Sequence, residues 1–131
     1  MQKQNLKAQT DVRKRAYKYS RRIVNFLDLL PNDMTGSVIA KQLMRSATSI
    51  GANLVESKGA SSKKEFGQFF TYSLRSANET LYWLGLLRDA KKIELQELKW
   101  LIQEGQELAR IIGASLLTIK GKRNRSQFLT D

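Results

Sequence analysis

The sequence predicts an all-α fold of four helices. Three observations predict it. Apolar residues recur at steps of three and four through four successive segments, the spacing that places them on one face of a helix. The breaks between segments are short and polar, the length of helix–helix connections within one domain. The single proline, Pro31, falls in one of those breaks and leaves the helices uninterrupted. No strand pattern, internal repeat or second domain appears in the 131 residues, so residues 1–121 read as one domain.

The first helix is expected over about 8–30. Val12, Ala16, Tyr19, Ile23, Leu27 and Leu30 form its apolar row. At 100° per residue that row stays within roughly 60° of Val12, and Lys14, Arg15, Lys18, Arg21 and Arg22 project to the other side, at roughly 180° to 300°. Along the helix no acid stands between Asp11 and Asp28. Pro31-Asn32-Asp33 makes a turn.

The second helix is expected over about 36–58, capped by Thr35 or Ser37 and stopped by Gly59. Ile39, Leu43, Ala47, Ile50 and Leu54 face the core. Beside them runs a polar row, Arg45, Ser49, Asn53 and Glu56, at steps of four, four and three. With Glu79 of the third helix, this row reads as a structural hydrogen-bond network that fixes helix register, because polar groups between packed helices need partners.

The third helix is expected over about 63–91, opened by Ser62 and Glu65 at capping-box spacing. Phe66, Phe70, Leu74, Ala77, Leu81, Leu84 and Leu87 form its core face, and Phe69, Tyr72, Tyr82, Trp83 and Leu86 widen the apolar surface. So wide a surface calls for a further packing partner, such as a second copy of the chain. The fourth helix is expected over about 95–120, on a row from Leu98 through Leu101, Gly105, Leu108 and Ile112 to Ile119. Gly105 is a gap in that row where a neighbour approaches closely. Residues 122–131 read as a basic, flexible tail.

Composition narrows the function. The chain has no cysteine and no histidine, which removes thiol nucleophiles, Cys/His zinc sites and histidine acid–base catalysis. A di-metal bundle site adds Glu-x-x-His motifs that are absent, so no catalytic residue, metal or cofactor is expected. No apolar stretch is long enough to cross a bilayer and no signal-peptide run opens the chain, so a cytoplasmic protein that does not engage membranes is expected. The net charge is +11. The excess gathers near the two ends: eight basic residues in 1–22 against Asp11, and Lys120, Lys122, Arg123 and Arg125 against Asp131. Such asymmetry points to a polyanion. The expected function is non-enzymatic binding of RNA or DNA with low sequence specificity, through Lys14, Arg15, Lys18, Arg21 and Arg22 with Lys122, Arg123 and Arg125. The alternative is a protein-interaction scaffold.

Two motifs carry a family resemblance. Arg45-x-Ala47-x-Ser49-Ile50-x-Ala52-Asn53-Leu54-x-Glu56 resembles the signature of the four-helix-bundle proteins encoded in intervening sequences of bacterial 23S rRNA genes. Glu65-Phe66-x-x-Phe69 with Ser76-x-x-Glu79-x-x-x-x-Leu84 resembles the next motif of that family. The family often has proline where Gly51 stands and glycine where Ser57 stands. The resemblance implies an antiparallel up-down-up-down four-helix bundle that assembles as a ring-shaped homopentamer with a central channel. It also implies kinship to the accessory protein of diversity-generating retroelements, a basic pentamer that binds nucleic acid and a reverse transcriptase. Through that kinship, a reverse transcriptase or a ribonucleoprotein becomes an expected partner.

Overall fold

The computed structural model describes the backbone of residues 2–130 and the side chains of residues 11–121. Four α-helices make up the fold: α1 (Gln2–Leu27), α2 (Met34–Glu56), α3 (Lys63–Asp89) and α4 (Gln96–Thr130). One 3-10 turn, Ser57–Gly59, follows α2. There is no strand among the described residues. Each helix packs on its neighbours in sequence and α1 closes on α4, with no close backbone approach across either diagonal among the described residues. The helices therefore stand in a square, in chain order around the bundle.

The neighbours run antiparallel, as successive pairs along each interface show. Arg13 meets Leu54 while Ala16 meets Gly51. Ser73 meets Ile50 while Thr80 meets Ser46. Leu81 meets Gly105 while Leu74 meets Gly113. Arg15 meets Glu104 while Arg22 meets Glu97. The core follows the predicted rows, except that in α1 Phe26 is buried while Leu27 and Leu30 are only partly so. Val12, Ala16, Tyr19 and Ile23 join Leu43, Ala47, Ile50, Leu54, Phe70, Ala77, Leu84, Leu101, Leu108 and Ile112, all buried.

The helix ends differ from expectation in informative ways. α1 stops at Leu27 because the residues before Pro31 leave helical geometry, and Leu29 N–H closes a turn on the Phe26 carbonyl instead. α2 is capped by Asp33, whose carboxylate accepts from Gly36 N–H at 2.7 Å, and not by Thr35 or Ser37. A β-carbon at Gly36 would lie 2.6 Å from that carboxylate oxygen, so glycine gives the cap its room. Lys91, from the link after α3, donates to Asp33 at 2.9 Å and to Thr35 at 3.0 Å, tying two loops at one end of the bundle. Ser62 caps α3 as expected, accepting from Glu65 N–H, but the Glu65 carboxylate takes the Ser61 hydroxyl and so completes no box with Ser62. α4 runs past the expected stop at Lys120, and the side chains of Lys122, Arg123 and Arg125 lie outside the described residues.

The two departures from the family signature have visible consequences. α2 continues through Gly51, which packs on Ala16 of α1 with no proline to bend it. Ser57 is buried, donates to the Leu54 carbonyl and accepts from Arg13. Arg13 also donates to Leu54 O at 3.1 Å, so α1 supplies the cap for the end of α2. Burial lowers the pKa of the Arg13 guanidinium.

Candidate functional site

The basic side of α1 divides into two edges. One turns toward α4. There Arg15 makes a two-pronged ion pair with Glu104, at 3.1 and 2.5 Å. One heptad on, Arg22 does the same with Glu97, at 2.9 and 3.0 Å. Between them Trp100 lies under the Arg22 guanidinium, 3.6 Å from its ring centroid, with the Lys18 ammonium at 5.9 Å. The hydrogen bond from Arg15 to Glu104 raises the Arg15 pKa. Fork-to-fork pairing of this kind holds both partners in place. Arg15 and Arg22, expected to contact nucleic acid, thus have their charge engaged by α4.

Acids counted along α1 alone miss these partners, because the neutralising acids come from α4. The signal was present in the spacing. Arg15 and Arg22 are seven apart, and so are Glu97 and Glu104, which is the register of charge pairs flanking an antiparallel helix seam.

The other edge, with Lys14 and Arg21, turns away from α4, and Lys18 stands between the two edges. Lys14, Lys18 and Arg21 are exposed and make no ion pair among the described residues. They line an open groove of about 620 Å³ with Arg13, Tyr17, Arg22, Asn25 and, from α2, Val55. No acid lines this groove among the described residues.

The polar row on α2 is brought together only in part. Arg45 reaches across to Glu79 at 2.5 Å, and Trp83 Nε1 donates to the same Glu79 oxygen at 2.9 Å. Ser49 and Asn53 bond back to their own helix, donating to the Arg45 and Ser49 carbonyls. Such back-bonds satisfy side chains without linking helices. Glu56 is exposed and takes no side-chain bond among the described residues. The polar groups that do join α2 to α3 in the interior are Ser73, donating to the Ile50 carbonyl, and Thr80, donating to Ser46. Small hydroxyls pass unnoticed on an apolar face, because their side chains fit between packed helices. Among the described residues, no three acids gather where a metal ion would sit, and no helix is long and apolar enough to cross a membrane.

The arrangement has known relatives. A crystal structure of a protein with unknown function from the S23 ribosomal protein family of Bacteroides thetaiotaomicron superposes with a TM-score of 0.77 at 31% identity, covering 83% of this chain and 97% of that one. No curated protein matches the chain. The helix signatures around Asn53 and Phe66 lie inside residues 8–114, which match the 23S rRNA-intervening sequence protein family; the chain belongs to that family.

Proposed function

We propose that the chain is a non-enzymatic, cytoplasmic nucleic-acid-binding protein that acts as a homo-oligomer, a pentamer, and holds phosphates on the free edge of α1. The observation that carries this reading is the set Lys14, Lys18 and Arg21: three exposed cations on one helix face, without ion pairs among the described residues, beside a groove lined by no acid. Ammonium and guanidinium groups so placed bind phosphate by charge, which gives affinity and salt dependence with little choice of sequence. Repeating the face in an oligomer multiplies weak contacts through effective concentration.

The test is fluorescence anisotropy with labelled RNA and DNA over a salt series, with light scattering for assembly mass. Affinity falls steeply as salt rises, and Lys18→Glu with Arg21→Glu weakens binding while helix content and mass stay unchanged. Unchanged affinity in that double reversal removes this face as the site. Binding that requires an added protein partner transfers the chain to the scaffold or accessory-subunit reading.

A further inference from the structure

We propose that Tyr17 is a stacking platform for an unpaired base, and that the polymer taken by this face is single-stranded nucleic acid. The inference rests on the phosphate-binding reading above and deepens it.

Tyr17 lies mid-helix, well away from either end of α1, yet is 68% exposed. Lys14 and Arg21 stand one turn before and after it and Lys18 beside it, so its ring is bordered by three cations. Val55 of α2 lines the same groove and gives it an apolar wall. A flat apolar surface set among cations suits a chain that presents bases and phosphates in alternation.

The other exposed tyrosines lack this setting. Tyr72 accepts a hydrogen bond from Gln68 at 2.9 Å. Tyr82 packs edge-on against Trp83 at 5.1 Å, next to the Glu79 carboxylate. Trp100 has its face taken by Arg22. Tyr17 has no aromatic neighbour among the described residues and no acid in its groove. A duplex keeps its bases stacked inside, out of reach of a ring on a helix surface. A single strand turns them outward, and a stacked base is tolerant of identity because every base has a π-face.

The experiment is fluorescence anisotropy at low salt with three probes of about twelve nucleotides: a single strand, its duplex, and an abasic strand of the same backbone. The expected result is a single-strand preference in the parent protein. Tyr17→Ala weakens single-strand binding about ten-fold and leaves duplex and abasic binding within about two-fold, whereas Tyr17→Trp keeps the preference. Circular dichroism of each variant confirms unchanged helix content, as an exposed side chain predicts. Equal single-strand affinity in Tyr17→Ala and parent overturns the platform. If binding then still falls with Lys18→Glu and Arg21→Glu, the phosphate reading stands without it. Absence of binding to all three probes by the parent overturns both.

Discussion

The Tyr19 hydroxyl sits against Gly105, 2.8 Å from where a β-carbon on that residue would stand, and donates to the Leu101 carbonyl at 2.7 Å. The phenol crosses the α1–α4 interface fully buried, and the glycine is the gap that admits it. Leu81 presses on the same spot from α3, with its methyl 3.0 Å from the missing β-carbon. Gly105→Ala therefore overpacks the core, which costs about 1–3 kcal/mol, against about 1 kcal/mol regained in helix propensity. A net loss of up to about 2 kcal/mol is expected in urea unfolding. Tyr19→Phe frees part of that space, so a double-mutant cycle gives a smaller penalty for Gly105→Ala in the Tyr19→Phe background. Additive losses would show that the two residues do not compete for the site.

Gly51 is a glycine of the opposite kind. A β-carbon there meets Ala16 at 3.4 Å and nothing closer. That is ordinary contact, so Gly51→Ala is expected to be neutral or to stabilise by about 0.5–1 kcal/mol, through the helix propensity that glycine lacks. Gly51→Pro restores the residue common in the family but removes a backbone donor from mid-helix. It is expected to lower the melting temperature. A rise on proline would mean that α2 accepts the bend without loss.

Asp33 makes stability depend on acid pH. The hydrogen bond from Lys91, and then that from Gly36 N–H, lower its pKa in the folded chain. A depressed carboxylate contributes stability above its unfolded pKa, near 3.9, and that contribution disappears as pH falls through the lower folded value. Asp33→Asn keeps a capping oxygen for α2 and loses the charge. Melting curves taken downward from neutral pH should fall less steeply below about pH 4 in Asp33→Asn than in the parent. Parallel curves would show that the pair with Lys91 contributes nothing to folding.

Much of the bundle was legible because its signals repeat along the chain. The apolar rows placed Tyr19, Ile50, Phe70 and Leu108 in the core, where they are. The gap at Gly105 announced a close neighbour, and Tyr19 is that neighbour. What the chain order hid were the links between helices. The cap of α2 depends on Arg13, forty-one residues before the Leu54 carbonyl it serves. Glu97 and Glu104 reach α1 from seventy-five and eighty-nine residues away. A single-helix wheel contains neither relation. The basic face therefore looks larger from α1 alone than the folded chain leaves it, and Tyr17, off the apolar row, carries no periodic signal that marks it out among the remaining cations.

That division of the face predicts what its acids do. Glu97 and Glu104 hold Arg22 and Arg15 by two-pronged bonds on half-buried side chains. Pairs at such exposure contribute little to folding, on the order of 0.2–1 kcal/mol each. Their electrostatic effect on an incoming polyanion is larger, since each carboxylate cancels a cation one helical turn from Lys18. Glu97→Gln with Glu104→Gln keeps the side-chain length and an acceptor for each arginine while returning two positive charges to the face. Nucleic-acid affinity should rise at low salt, and the plot of log affinity against log salt should steepen by up to about two phosphate contacts. Melting temperature should fall by no more than a few degrees, as two modest ion pairs dictate. Steady-state anisotropy over a salt series, beside thermal unfolding, separates the effects. An unchanged salt slope would mean that bound phosphates never approach the α4 edge, and would confine binding to Lys14, Lys18 and Arg21. A collapse of folding would instead make the two pairs structural, and the acids of α4 part of what holds α1 in the bundle.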